Sequence, residues 1–206
     1  MKSTRRAELL SALTIMSVVS CNLMAPAMAS KLDNESEVAN VAITLQHPAT
    51  IKQELINNRK YQVGRIVIPA KTDAVWNALT TYDRATEIYS NVKELKMIDG
   101  EGPEKRIEFN VSTMGGMMKY DYTLDVTELK AQKRIEWKRH SGAFKINDGW
   151  WQLEPVEAGT LVTYAKFIDG GFMVPQTMVN GELRKIMPSV LNNLKAAVLR
   201  AQIASK

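Results

Sequence analysis

A chain of 206 residues and 23.1 kDa has room for one domain of ordinary size with appendages, which excludes a multidomain enzyme. Hydrophobic content of 45% and charged content of 24% exclude a disordered chain, a collagen and a polytopic membrane protein. The formal net charge of +5 falls to +3 without the first 29 residues, which is too mild to imply nucleic acid.

In chain order, Met1 to Ala29 reads as a leader. Lys2, Arg5 and Arg6 open it, Leu9 to Val19 run apolar, and Ala27-Met28-Ala29 precede Ser30. A basic start, a short apolar middle and small residues before the cut make a secretory signal, so the expected location is periplasmic or secreted. Leu9 to Ala29 has about the length of a membrane anchor, but Asn22 and Pro26 interrupt it. Val18-Val19-Ser20-Cys21 offers a competing reading, a lipoprotein signal ending at Ser20 with Cys21 acylated and the domain held on a membrane. Cys21 is the only cysteine, and either cut leaves the folded domain without thiol chemistry. Removal of the leader takes Lys2, Arg5, Arg6 and Glu8 with it and lowers the net charge from +5 to +3.

Residues 30–60 read as an N-terminal extension or linker. Ser30 to Ser36 is polar, Val38 to Leu45 alternates briefly, His47-Pro48 breaks the pattern, and Ile51 to Leu55 suggests a helical turn or two. The domain is expected over residues 61–204. Tyr61 to Ile68 is a β-rich run ending at Pro69. Thr72 offers an N-cap hydroxyl, Asp73 suits the positive end of a helix, and Val75, Trp76 and Leu79 have the spacing of a short amphipathic helix. Tyr82 to Tyr89 reads as a second short helix or turn.

Six strand-like runs follow: Val92 to Ile98, Lys105 to Met114, Met117 to Glu128, Arg134 to His140, and Phe144 to Ile168 divided by Glu157-Ala158-Gly159. The connections between them are short, which makes neighbouring strands antiparallel. From Pro175 onward, Met178 or Val179, Leu183, Ile186, Val190, Leu194 and Val198 draw one apolar stripe along a long helix, with Pro188 inside it as an expected kink or break. A helix with one apolar stripe needs an apolar surface to cover, and an antiparallel sheet of six to seven strands offers one. The expected fold class is α+β: a helix-grip fold, with a curved antiparallel sheet wrapped around a long C-terminal helix and two short helices after the first strand.

Several stretches carry a resemblance. Ile66-Val67-Ile68-Pro69-Ala70 leads to Ala74-Val75-Trp76-Asn77-Ala78-Leu79-Thr80 and Tyr82-Asp83. Gly149-Trp150-Trp151-Gln152-Leu153-Glu154-Pro155, Gly159-Thr160-Leu161-Val162-Thr163-Tyr164 and the Pro188 helix follow. In order and spacing, over about Gln62 to Ala201, the chain resembles the START-like (SRPBCC) superfamily, in its polyketide cyclase/dehydrase and coenzyme-Q-binding branch. Many members carry a proline after the second short helix, where this chain has Tyr89-Ser90-Asn91-Val92.

The resemblance implies a deep apolar cavity between sheet and helix, of several hundred Å³, that holds a lipid, quinone or polyketide. Candidate ligand-binding residues are Phe109, Tyr120, Tyr122, Trp137, Trp151 and Phe167 from strands and Met178, Leu183 and Met187 from the helix. Each also has the plainer reading of core packing. Methionines flank the Gly115-Gly116 turn and the start of the last helix, and flexible thioethers suit an adaptable apolar site.

Evidence for catalysis is thin. His47 lies outside the resembling region, and His140, beside Lys138 and Arg139, reads as solvated surface. No metal, serine-hydrolase or nucleotide motif occurs, so no cofactor and no catalytic residue is assigned. Asp121, Asp125, Glu136 and Asp148 are expected to face water. Lys130, Lys133, Arg134, Lys138 and Arg139 form a basic strip, read as a solvated face or as a contact with an anionic membrane.

The leading expectation is binding or transport of a hydrophobic small molecule in the bacterial cell envelope. A cyclase- or dehydratase-like enzyme on a polyketide-type substrate is one alternative, and a partner-docking module with a filled interior is another.

Overall fold

The structure is a computed structural model and describes residues 48–172 and 174–204. The leader, with Cys21 and both cleavage readings, lies outside the described residues, as does His47.

Eight strands form one antiparallel sheet in the order β1-β2-β8-β7-β6-β5-β4-β3. They are β1 (Thr50–Ile56), β2 (Arg59–Ile68), β3 (Val92–Asp99), β4 (Glu104–Thr113), β5 (Met118–Leu129), β6 (Arg134–Gly142), β7 (Ile146–Val156) and β8 (Gly159–Asp169). Between β2 and β3 lie α1 (Thr72–Thr80), a 3-10 turn at Tyr82–Arg84 and α2 (Ala85–Ile88). The chain closes with α3 (Gln176–Ala204). This is the helix-grip architecture the sequence predicts.

Three local expectations are corrected. The stretch containing Ile51 to Leu55 is the edge strand β1 rather than helix, paired along its length from Thr50 with Arg65 to Ile56 with Arg59. Asn57 and Asn58 close that hairpin at φ 50 and 61, a left-handed pair that asparagine tolerates better than most residues. Lys71 rather than Thr72 is the N-cap of α1, and it makes no side-chain cap bond. The Thr72 hydroxyl instead lies 3.3 Å from that of Thr160, which bonds the Ala70 carbonyl at 2.8 Å and ties the start of α1 to β8. Pro188 does not divide the last helix, which continues through it from Gln176 to Ala204.

Bulges bend the sheet. The β3–β4 register slips between Val92 and Glu94 and again between Met97 and Asp99, and that of β5–β6 slips between Thr123 and Leu124. Strands β6 and β7 pair only from Arg134 with Gln152 to Trp137 with Gly149, and then separate.

The inner face and α3 form the main core, with Ile66, Ile68, Ile107, Trp151, Leu153 and Val162 from the sheet opposite Met187, Val190, Leu191 and Leu194. The helix packs tightly on the sheet at Gly64, where a Cβ would lie 2.7 Å from Leu191 Cδ1. On the outer face, Tyr61, Val63 and Ala165 pack with Trp150 and Phe167. Of the acidic residues expected to face water, Asp148 pairs with Arg59 and Asp125 with Arg106, each at 2.9 Å, Glu136 pairs with Arg134, and Asp121 accepts from the Asn110 amide at 2.6 Å. Such pairs on an accessible face contribute little to stability.

Leu191 is fully buried against Gly64. Leu191→Ala is therefore expected to lower unfolding stability by about 2–5 kcal/mol, read as a drop in the urea midpoint at unchanged m-value.

Candidate functional site

Two cavities lie between the concave face of the sheet and the helices. The outer one, of about 100 Å³, opens where the β4–β5 hairpin, the α2–β3 loop and the first turns of α3 meet, beside Asn91, Thr113, Met118, Met178 and Glu182. The inner one, of about 60 Å³, lies beneath α1 and α2 against β3 to β6. The two share a wall of Tyr89, Asn91, Tyr122, Tyr164 and Lys166. Both are smaller than the several hundred Å³ expected from sequence, because the aromatic side chains pack against one another and occupy much of the interior. An apolar cavity of about 150 Å³ admits a benzene ring, so the outer space as it stands receives a small group rather than a whole lipid.

The aromatic packing is ordered. Trp151 stacks on Tyr164 with centroids 4.0 Å apart and donates its indole N–H to the Tyr89 hydroxyl at 3.0 Å. Phe109 stacks on Tyr122 at 5.4 Å, and Phe144 tilts against Tyr120 at 5.0 Å and Tyr122 at 5.6 Å. Phe144 holds φ 73 where β6 and β7 part, an uncommon backbone state for a bulky residue, and its ring lines the outer cavity. Gly149 makes room for Trp137, whose ring occupies the space that a Cβ on residue 149 would need.

Of the nine residues expected to bind ligand, Tyr120, Tyr122, Met178, Leu183 and Met187 line the outer cavity. Phe109, Trp137 and Trp151 line the inner one, and Tyr122 borders both. Phe167 is the correction. It sits on the opposite face, 5.6 Å from Tyr61 and beneath the Arg59 guanidinium. Adjacent strand residues face opposite ways, and β8 carries apolar residues on both faces, so sequence parity alone does not choose between Phe167 and its neighbours. Register decides: Tyr164, Lys166 and Ile168 point inward.

Lys166 is the feature that sequence reasoning missed. Its neighbours in sequence are hydrophobic, and a single lysine in a strand ordinarily reads as an outward residue. Here it borders both cavities, and burial pulls its pKa down to about 8. The phenols beside it move the other way. Burial pushes Tyr89 up to about 12 against the opposing effect of the Trp151 hydrogen bond. Burial also raises Tyr122 and Tyr164, with nearby tyrosines adding to it. At neutral pH these groups therefore keep their protons and serve as hydrogen-bond donors. At the far end of the inner cavity, Tyr82 donates to Glu128 at 2.8 Å.

His140 is exposed, with Nδ1 3.2 Å from Asp125, and is remote from both cavity walls. Among the described residues no group of three or more His, Cys, Asp or Glu is placed to hold a metal. The basic strip is partly engaged. Lys133 pairs with Asp73 at 2.6 Å, and Arg134 reaches Glu136 while lying over the Trp150 ring.

Residues 63–199 match the family described as polyketide cyclase / dehydrase and lipid transport. No curated protein sequence matches the chain. Solved structures with the same fold include a protein from Thermus thermophilus (19% identity, 75% of this chain and 98% of that one, TM-score 0.60). The Zhui aromatase/cyclase from a Streptomyces species is another (13% identity, 68% and 93%, TM-score 0.59). A third is a STAR-related lipid transfer protein from Xanthomonas axonopodis (14% identity, 73% and 92%, TM-score 0.56).

The lowered Lys166 pKa has a consequence for stability. Between about pH 8 and the ordinary lysine value of 10.5, the unfolded chain holds a proton that the folded chain has released, so stability from this residue rises with pH across that window. Chemical denaturation of the parent protein and of Lys166→Met at pH 7.5 and pH 10 is expected to show that rise in the parent relative to the variant. Parallel behaviour of the two would contradict the burial of the ammonium.

Proposed function

Because the chain belongs to the polyketide cyclase / dehydrase and lipid transport family, which supports binding of a hydrophobic small molecule in general, we propose that it carries a lipid, isoprenoid quinone or polyketide-like guest in the bacterial cell envelope. The observation that carries this reading is the apolar, aromatic wall of the outer cavity, which reaches the surface beside the helix start. The leader pattern of Met1 to Ala29 supports the envelope location. A guest longer than the present space is accommodated by parting the first turns of α3 from the hairpin. Met118, Met178 and Met187 face that space with side chains that repack at small cost.

Binding then follows from apolar burial, at roughly 25 cal/mol per Å² before ordering costs are subtracted. The cyclase-like alternative rests on the same wall, where protonated phenols and Lys166 are the groups available for proton transfer. Transport is favoured because the wall is mostly apolar and aromatic, and its carboxylate, Glu182, lies at the mouth near Lys185.

Protein purified from its native envelope and extracted into organic solvent is expected to release an apolar small molecule at near one-to-one stoichiometry by mass spectrometry. Leu183→Trp, which fills the outer cavity at a cost of about 1–3 kcal/mol in stability, is expected to release little or none. An empty extract from the parent protein, together with no uptake from envelope lipids added back, would overturn the carrier reading.

A further inference from the structure

Four neighbouring strands place one row of residues across the inner face: Trp137 on β6 pairs with Gly149 on β7, Gly149 with Lys166 on β8, and Lys166 with Gln62 on β2. Residues directly opposite one another in an antiparallel pair point to the same face with their Cβ atoms about 5 Å apart. The Trp137 ring lies over Gly149, in the place a side chain there would need, which brings it toward Lys166; Trp137 and Lys166 both border the inner cavity, and Gln62 stands next to Lys166 in the row.

The polar atoms of this row lack partners. Gln62 is 1% exposed, and neither Nε2 nor Oε1 makes a hydrogen bond; the Trp137 indole N–H is buried and equally unpaired. Asn147, two residues from Gly149 and fully buried, stands near the Tyr122 phenol without closing a bond of good geometry. Among the described residues Lys166 has no ion pair or hydrogen bond, and desolvation alone accounts for its lowered pKa. Buried polar groups are otherwise almost always paired, and an uncompensated ammonium is the costliest of them. So many orphans in one row, beside a cavity, mark the seat of a group that is missing from the chain itself.

The chemistry of that group follows from the donors. The Lys166 ammonium, the Trp137 indole and the phenols of Tyr89, Tyr122 and Tyr164 all belong to the wall of the inner cavity, with the unpaired Gln62 amide buried beside Lys166 in the row, and this set suits an acceptor-rich anion. Among the described residues Lys166 is the cation on either cavity wall, so the complement is a single negative charge. The cavities have room for a planar carboxylate and little for a hydrated phosphate. Among the described residues the carboxylate on these walls is Glu182, at the mouth, 3.9 Å from Lys185 and not among the causes of the Lys166 shift.

We propose that Lys166, Gln62 and Trp137 form the seat for the carboxylate of an amphipathic monocarboxylic acid. Its hydrocarbon tail runs outward along Phe144, Ile168, Val179 and Leu183 to the methionines at the mouth. This rests on the carrier reading and names the guest's head group and its orientation.

Laurate and 1-dodecanol share a tail and differ in the head, so titrating each into the full chain by calorimetry at pH 7 separates the two levels. The parent protein is expected to bind laurate about 10- to 100-fold more tightly than dodecanol, the range for charge-assisted hydrogen bonds. Lys166→Met is expected to lose that preference while keeping dodecanol affinity, which also reports that the variant is folded. Gln62→Leu is expected to weaken laurate alone, by a smaller factor. Equal affinity for the two probes in the parent, or a laurate preference that survives Lys166→Met, would overturn the carboxylate seat and leave the carrier reading standing. Failure of the parent to bind either probe would overturn both.

Discussion

The rest of the structure depends on where the long C-terminal helix touches the sheet. Leu191 and Met187 meet the backbone at Gly64, and Val190, Leu194 and Val198 are buried within 1% of completely. That contact pins the middle and C-terminal part of α3. Toward its N-terminus the same helix is tied to β8 by Gln176, which donates to the Ile168 carbonyl at 2.9 Å, and there Val179 and Leu183 border the outer cavity while Met178 is 43% exposed. The outer cavity thus lies beside the first turns of the helix, and the closely packed contact at Gly64 lies further along it. A side chain at position 64 would lift the pinned half, which is why the absence of a Cβ there matters more than the conformational freedom of glycine.

A second constraint is electrostatic. Ion pairs on the outer face, such as Arg59 with Asp148 and Arg106 with Asp125, sit where water already screens them and do little for the fold. Among the described residues, the ammonium of Lys166 on the inner face has no counterion. Stability and function pull in opposite directions at that position, since an apolar residue there would pack without a desolvation cost. The orphaned Gln62 and Trp137 groups beside it follow the same logic. Destabilised polar atoms concentrated in one row at a cavity wall are characteristic of a binding surface rather than of a core optimised for itself.

Family membership and cavity chemistry agree on an apolar guest and differ in resolution. The match over residues 63–199 fixes the kind of architecture and the general class of ligand. The solved structures, all below 20% identity, share the fold. The interior of this chain holds two modest cavities divided by a wall of tyrosines with Asn91 and Lys166, and a methionine-flanked mouth. On the proposed carrier reading, the small resting volume joins guest entry to movement of α3 against the hairpin, which makes the flexible side chains at that junction part of the proposed site.

Much of this was legible in the sequence. Alternation and turn residues located seven of the strands, the apolar stripe located the last helix, and short connections made the sheet antiparallel, because these depend on local periodicity and chain geometry. Eight of the nine proposed lining residues reach a cavity wall for the same reason: large apolar groups on one sheet face must turn toward the helix. Edge strand β1 escaped because its side chains are mostly exposed, which leaves no alternation to read. Phe167 and Lys166 were decided by tertiary structure. Parity along β8 is set by its pairing with β2 and β7, and a shift of one residue exchanges the two faces. Whether a lysine meets water or an apolar cavity is a property of what lies opposite it across the fold, and no local pattern in the chain encodes that.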